Sequence, residues 1–189
     1  MNIIKLIDED KYNLEQKLIG HTNSVYNAIE IKENELISVS YDKTINILKL
    51  IGEDKYNLEQ KLIGHNNPVY SVIEIRENEL ISVSSDKTMK KWELKNNKFE
   101  CTKSINFQNS NYSCNILKIN ENEFVTYSVS DKCLKFWNSN DYSNIATINN
   151  IEEEWTSRTL CIIKEDILCV GGINSKGFYL IDISNHQLV

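Results

Sequence analysis

The first 88 residues are two copies of one 44-residue segment. Aligned without a gap, residues 1–44 and 45–88 are identical at 35 positions. The first copy contains GHTNSVYNAIEIKENELISVSYDKT (20–44), and the second contains GHNNPVYSVIEIRENELISVSSDKT (64–88). Repeats of about 20–50 residues are typical of chains built from stacked, similar units, each of which buries its apolar face against a neighbour. The duplication therefore predicts a repeat architecture.

Each copy contains four short runs that favour β-strands. The runs are about six residues long and rich in Ile, Val and Leu, and they are separated by Asn, Asp and Gly. In the first copy and its continuation they cover 25–31, 36–40, 44–50 and 56–62. Helical spacing is poorly supported by runs this short. A period of about 40–45 residues with four strands is typical of one propeller blade, so we predict an all-β fold.

Four in-phase segments resemble the repeats of the WD-repeat β-propeller family. The second is the most complete, with Gly64-His65, Ser82, Asp86 and Trp92-Glu93. The first has Gly20-His21, Ser38 and Asp42 but Leu48 in place of the Trp, whereas the third has Thr126, Asp131 and Trp137 without the Gly-His pair. The fourth is faint, at 167–172 and 177–182. The resemblance covers essentially the whole chain.

The resemblance implies a propeller of four-stranded antiparallel blades. We expect blades at 20–63, 64–106, 107–149 and 150–189, all within one domain. Residues 1–19 match 45–63 and are expected to form the outer two strands of an incomplete blade. Because rings of this family usually close with about seven or eight blades, four blades predict an incomplete ring within one chain. A homodimer that closes the ring is one expectation, and a fragment of a longer product is the other.

The resemblance also assigns the His, Ser or Thr, Asp and Trp of each repeat to a structural hydrogen-bond network. Such a network would satisfy buried polar groups and join the turn to the incoming loop. Its expected members are His21, Ser38, Asp42, His65, Ser82, Asp86, Trp92, Thr126, Asp131 and Trp137. Spacing alone leaves open whether Ser38 or Ser40, and Ser82 or Ser84, takes part.

The same residue types could instead form a Ser-His-Asp hydrolase site. A catalytic nucleophile needs one base and one oxyanion hole, yet this set occurs twice and decays from repeat to repeat. The sequence also lacks a GxSxG nucleophile elbow. We therefore expect a non-enzymatic protein, with the hydrolase as the weakest alternative.

In the family, partners bind the loops at one face of the propeller, and several side chains fall there in phase. Tyr and Arg combine contact area with a polar group and are favoured in binding sites. The candidates are Tyr26, Tyr41, Tyr70, Ser85, Tyr112, Trp155 and Arg158. The leading hypothesis is a scaffold that presents this face to a protein or peptide. A propeller that binds a small ligand or glycan is the alternative.

Composition and charge exclude other classes. The net charge of −6 argues against nucleic-acid binding. No apolar run approaches the roughly 20 residues that a membrane span requires, and the N-terminus lacks the features of a signal peptide. Five cysteines without a CxxC pair suggest a reducing compartment and no zinc site. We expect a cytoplasmic protein, with the nucleus as the alternative location, and no cofactor or metal.

Overall fold

The computed structural model describes residues 2–8, 11–18, 20–52, 55–107, 113–128, 131–151, 158–172 and 177–189. These residues form eighteen β-strands arranged in five antiparallel sheets. The first sheet is a hairpin of β1 (Asn2–Asp8) and β2 (Lys11–Lys17). The other four sheets have four strands each.

The four-stranded sheets follow one another along the chain as propeller blades. Blade 1 contains β3 (Val25–Lys32), β4 (Glu35–Ser40), β5 (Thr44–Ile51) and β6 (Lys55–Ile63). Blade 2 contains β7 (Val69–Arg76), β8 (Glu79–Ser84), β9 (Thr88–Lys95) and β10 (Lys98–Asn106).

The two later blades have shorter outer strands. Blade 3 contains β11 (Ser113–Lys118), β12 (Glu123–Ser128), β13 (Cys133–Asn138) and β14 (Asn144–Ile148). Blade 4 contains β15 (Arg158–Lys164), β16 (Ile167–Gly172), β17 (Tyr179–Asp182) and β18 (Gln187–Leu188). The prediction of an all-β propeller of four-stranded antiparallel blades is confirmed.

The turns explain why neighbouring strands pair as hairpins. Asn96 and Asn97 join β9 to β10 with φ of 49° and 63°, the left-handed values that a two-residue type I′ turn requires and that Asn tolerates. Asn34 and Asn78 adopt positive φ in the turns that follow β3 and β7. Lys43 and Lys87 do the same before β5 and β9, which shows that the duplicated sequence repeats its turn geometry.

The core lies between blades rather than within them. Ile37, Val39 and Ile45 of blade 1 pack against Val69, Leu80 and Trp92 of blade 2. Equivalent clusters join blade 2 to blade 3 and blade 3 to blade 4. We call the face that a blade packs against the preceding blade its leading face, and the opposite face its trailing face. The innermost strands β3, β7, β11 and β15 contact one another in chain order.

Two of the cysteines are less buried than their apolar surroundings in the sequence suggest. Cys101 on β10 and Cys161 on β15 are exposed, whereas Cys133 is buried. Cys101 lies on an outer strand, and Cys161 lies on the trailing face of blade 4, which has no following blade among the described residues. Strand alternation gives the face of a side chain, but the neighbouring blade determines its burial.

Candidate functional site

The most complete polar network lies in blade 2. His65, in the loop entering the blade, contacts Asp86 through Nδ1 at 2.8 Å and Ser82 Oγ through Nε2 at 2.8 Å. Trp92 on β9 donates its indole N–H to the same Ser82 Oγ at 2.9 Å. Asp86 lies in the turn between β8 and β9, so the network joins the incoming loop, that turn and two strands.

The carboxylate of Asp86 is held in its ionised form. Burial by itself raises the pKa of Asp86, but the hydrogen bonds from His65 and Thr88 outweigh it, and the pKa lies well below its usual value. Thr88 donates its hydroxyl to Oδ1 at 2.6 Å, and the backbone N–H of Asn66 donates to Oδ2 at 2.9 Å. The Asp86 side chain therefore fixes the incoming loop to the turn.

Blade 1 repeats this geometry without the indole. His21 contacts Asp42 Oδ2 at 3.0 Å and Ser38 Oγ at 2.9 Å. Burial opposes ionisation of Asp42 as well, yet hydrogen bonds from Thr44, Thr22 and His21 hold its pKa well below its usual value. Leu48 stands in the position of Trp92 and donates no hydrogen bond to Ser38.

The space near the missing indole contains Asn46. A Cβ built on Gly20 would lie 2.7 Å from the Asn46 amide nitrogen, and one built on Gly64 would lie 3.0 Å from the Trp92 ring. Asn46 is buried, and its side-chain oxygen has no hydrogen-bond partner among the described residues. The same pocket beside the glycine thus contains an amide in blade 1 and an indole in blade 2.

Among its described residues, blade 3 keeps the hydroxyl–indole part of the network. Trp137 donates its indole N–H to Thr126 Oγ1 at 2.8 Å. The backbone N–H of Asp131 donates to Ser128 Oγ at 3.3 Å. Asn109 and Ser110, which replace the Gly-His pair, lie outside the described residues. The contacts become fewer from blade 2 to blade 3, parallel to the divergence of the sequence.

The geometry separates the two serines that spacing left open. Ser38 and Ser82 contact the His Nε2, whereas Ser40 and Ser84 accept the backbone N–H of the turn Asp, both at 3.0 Å. Ser40 and Ser84 also donate to the backbone carbonyl oxygens of Asn23 and Asn67. Each blade therefore uses one serine in the network and the other to tie the turn to the incoming loop.

Ser82 contacts His65, and His65 contacts Asp86, which is the same series of contacts as in a Ser-His-Asp hydrolase triad. Ser82 is 0% exposed, and its oxygen already accepts the Trp92 indole hydrogen. A substrate carbonyl would have to contact that oxygen, and the surrounding core leaves it no route. Burial of Ser82 therefore favours a structural role for these contacts.

Three of the predicted partner-binding residues lie together where the loops enter blades 1 and 2. The ring centroids of Tyr26 and Tyr70 are 4.9 Å apart, and those of Tyr26 and Tyr41 are 6.3 Å apart. Tyr26 and Tyr41 are about half exposed, at 45% and 49%, and Tyr70 is half-buried. We call these three residues the tyrosine cluster.

The other predicted partner-binding residues do not extend this cluster within the described part of the chain. Ser85, at the position equivalent to Tyr41, is half-buried, and its N–H donates to the carbonyl of Pro68 at 3.1 Å. Arg158 begins β15, and its side chain is not among those described. Tyr112 and Trp155 lie outside the described residues.

A row of polar side chains along the innermost strands was not predicted from the sequence. Asn27 donates to Ser71 Oγ at 3.0 Å, and Ser71 donates to Asn115 Oδ1 at 3.3 Å. Successive members are 44 positions apart, and Asn27 and Ser71 directly follow the predicted partner-binding residues Tyr26 and Tyr70. Their shared position in the 44-residue repeat is the sequence feature that could have indicated the row. The row links three blades beside the tyrosine cluster.

A cavity of about 430 Å³ lies between blades 1 and 2, at the opposite end of the blades from the tyrosine cluster. Charged and polar side chains such as Lys32, Glu35 and Glu59 line it together with Phe99. Gln60 crosses between the blades there, because its amide donates to the Phe99 carbonyl and accepts the Phe99 N–H, both at 2.8 Å. The lining mixes both signs of charge and holds no aromatic cluster.

The described ranges contain neither a metal-binding cluster nor a membrane-spanning helix. No group of three or more His, Cys, Asp or Glu side chains in that part of the chain is arranged to bind a metal ion. Of the residues that the structure describes, none belong to a helix with the length and apolar character to cross a membrane.

Comparison with known proteins agrees with this geometry. Residues 56–93 match the sequence profile of the family described as WD domain, G-beta repeat. Among solved structures, the chain is similar to the crystal structure of the WD40 beta propeller domain of Doa1, with a TM-score of 0.74 and 22% identity. The match covers 90% of this chain and 54% of that one, so the chain spans about half the length of that structure. No protein in the curated set matches the sequence.

The class of protein follows from the fold and the matched repeat together. Residues 56–93 match one WD repeat, and the chain folds as a β-propeller similar to that WD40 domain, as the resemblance implied. The matched segment runs from the outermost strand of blade 1, β6, to Trp92-Glu93 of blade 2. It contains the complete network of His65, Ser82, Asp86 and Trp92.

Proposed function

We propose that this protein is a non-enzymatic scaffold that binds a protein or peptide partner through the tyrosine cluster. The observation that carries the proposal is the clustering itself. Three tyrosines from two blades lie within 6.3 Å of a neighbouring ring centroid, and two of them are half exposed. Tyrosine is among the side chains most enriched in protein-binding sites.

The surroundings of the cluster support a rigid binding surface. Tyr41 directly precedes Asp42, which is fixed by His21, and the Tyr41 N–H donates to the Ser24 carbonyl at 2.9 Å. Tyr26 and Tyr70 lie in strands β3 and β7. Side chains that are already ordered lose little conformational entropy when a partner binds. The WD40 fold, which commonly mediates protein interactions, points to the same class of function.

The test compares alanine substitutions in the tyrosine cluster with alanine substitutions of exposed apolar residues elsewhere on blade 1. One variant carries Tyr26→Ala, Tyr41→Ala and Tyr70→Ala. The control carries Ile51→Ala and Leu58→Ala, which are exposed on strands β5 and β6 of blade 1. Proteins captured from native cell extract by the wild-type chain are quantified against both variants, after circular dichroism shows that each retains its β-sheet.

We expect the tyrosine variant to lose the captured proteins and the control to retain them. If the control loses them and the tyrosine variant does not, the binding site lies on the outer strands. Hydrolysis of an ester or peptide that disappears in Ser82→Ala, with folding intact, would overturn the non-enzymatic assignment.

A further inference from the structure

The first and the last blade each expose one apolar face whose counterpart in the middle of the chain is buried. Blade 1 shows this on its leading face. Val25 and Leu36 are half-buried, whereas the identical side chains 44 residues later, Val69 and Leu80, are 0% exposed. The sequence around both pairs is nearly the same. The difference arises because blade 2 packs against blade 1, whereas the inner half of the leading face of blade 1 has no equivalent neighbour in the part of the chain that the structure describes.

The uncovered region of blade 1 is limited to its inner strands. Ala28 on β3 is exposed, and its equivalent Val72 is fully buried. Leu48 on β5, on the outer half of the same face, is buried. An occupant of this face therefore has to supply the trailing face of two inner strands.

Blade 4 exposes the complementary surface. Strand register matches Cys161, Ile163, Cys169 and Phe178 to Ile73, Ile75, Ile81 and Met89 of blade 2. The four blade 2 side chains are buried against blade 3, at 8% exposure or less. In blade 4, Ile163 is 51% and Phe178 65% exposed, and Cys161 is exposed as well. Three of these four positions lie on the inner strands β15 and β16.

We propose that the open leading face of blade 1 binds the open trailing face of blade 4 in a second copy of this chain. Each junction within the chain already joins a trailing face to the leading face of the next blade. The proposed contact continues that same interface, and the duplication gives blade 1 nearly the leading face that blade 2 uses against blade 1. Exposed apolar faces of this kind are association sites in soluble proteins.

The geometry requires a head-to-tail contact, because the two faces are different surfaces. A head-to-tail contact between two chains leaves one open face of each kind, and both are satisfied when the ring closes on itself. Two chains supply eight full blades, within the ~4–8 blades of known propellers, together with one β1–β2 hairpin from each chain. The expected species is therefore a two-chain ring with two identical junctions.

The test uses one charged substitution on each open face. Ala28→Arg blocks the leading face of blade 1, and Ile163→Arg blocks the trailing face of blade 4. Ile145→Arg is the matched control, because Ile145 is 45% exposed on the outer strand β14 of blade 3, away from both faces. All three positions are exposed, so we expect the variants to fold, which circular dichroism and thermal unfolding check.

Light scattering after size exclusion measures the mass. We expect the wild type and Ile145→Arg at about twice the chain mass of 22.0 kDa, and each face variant at the mass of one chain. Mixing Ala28→Arg with Ile163→Arg should restore a two-chain species, because the intact trailing face of the first can bind the intact leading face of the second.

Other outcomes overturn the proposal. A wild type at the mass of one chain would show that the faces do not associate. A dimer that survives in either single variant would indicate contact between two like faces. Assemblies of the wild type that grow with concentration would indicate an open filament rather than a two-chain ring.

Cysteine labelling supplies an independent measurement. Cys161 lies on the proposed interface, and the exposed Cys101 on β10 does not. Maleimide should therefore label Cys161 more slowly in the wild type than in Ala28→Arg, with Cys101 unchanged, as quantified by peptide mass spectrometry. Equal labelling of Cys161 in the two proteins would count against the proposal.

Discussion

At the scale of single residues, the hydroxyl of Ser82 has a nitrogen atom on each side. The Trp92 indole donates to its oxygen, and the His65 ring lies 2.8 Å away. The hydroxyl hydrogen is then free to be donated to Nε2 while Nδ1–H donates to the ionised Asp86. Every polar atom in this buried series of hydrogen bonds is paired, so removing one member lowers the stability of the folded state.

The depressed pKa of Asp86 gives this network a defined pH dependence. Because the carboxylate is stabilised in the folded state, its contribution is complete above the unfolded-state pKa of about 3.9 and is lost as pH falls from there towards the lower folded value. Asp86→Asn removes the charge at every pH. We expect it to lower the free energy of unfolding by about 1–3 kcal/mol at pH 7.

The measurement is urea unfolding of the wild type and Asp86→Asn at pH 7, 5 and 3. The difference in free energy of unfolding between the two proteins should be the same at pH 7 and 5 and should become smaller at pH 3. A difference that stays constant down to pH 3 would mean that ionisation of Asp86 contributes nothing to stability.

The sequence could name the residue types in the network but not all of their partners. Ser38 and Ser40 are two positions apart, so both side chains point to the same face of β4. Only the distances to the His21 ring and to the backbone of Asp42 separate them. The Asn27–Ser71–Asn115 row was missed for a related reason, since its bonds cross between blades.

At the scale of strands and blades, the two copies of the repeat form an internal comparison. Blades 1 and 2 share the turn, the His, the Ser and the Asp, yet differ at the pocket beside Gly20 or Gly64. In blade 2 that pocket contains the Trp92 ring. In blade 1 it contains Asn46, whose buried oxygen has no partner among the described residues.

This comparison predicts which change repairs the first blade. Leu48→Trp alone would place an indole where the Asn46 amide lies, so we expect little or no gain in thermal stability. The double variant Asn46→Lys with Leu48→Trp reproduces Lys90 and Trp92 of blade 2 and should restore a donor to Ser38. A restored buried hydrogen bond is worth about 0.5–1.5 kcal/mol.

Thermal unfolding of the single and double variants provides the check. A matched control is Asn46→Lys alone, which removes the amide without adding the indole. If the double variant is no more stable than Leu48→Trp, the Asn46 amide does not compete with the indole for the pocket.

Alternation and turn residues were sufficient to place most strands. The predicted runs 36–40 and 44–50 each differ by one residue from β4 and β5. The last outer strand is short, at Gln187–Leu188. His186 adopts a φ of 57° and contacts Glu123 of blade 3, so its backbone belongs to the turn.

At the scale of the whole molecule, identical strands experience different surroundings. In β7, five of the eight residues are buried, whereas no residue of β3 is buried, although the two strands have nearly the same sequence. Stability in repeat architectures is the sum of each unit and its interfaces with neighbours. A blade with one interface should therefore open more readily than a blade with two.

Hydrogen exchange can measure this difference within one chain. We expect backbone amides of β3 and β4 to exchange faster than those of β7 and β8. The experiment is best done on the chain carrying both Ala28→Arg and Ile163→Arg, in which neither open face is available to another copy. Equal protection of the matched strands would show that the interfaces between blades contribute little to local stability.

The sequence by itself determined the repeat, the all-β class and the residue types of the polar network, because period, alternation and turn chemistry are local properties of the chain. Only the tertiary structure decided which serine meets the histidine, that Tyr26, Tyr41 and Tyr70 come together, and that Cys161 and Ile163 are exposed while Ile73 and Ile75 are buried. Those outcomes depend on the neighbouring blade. Two stretches with the same local sequence differ in burial when only one of them has a blade packed against it.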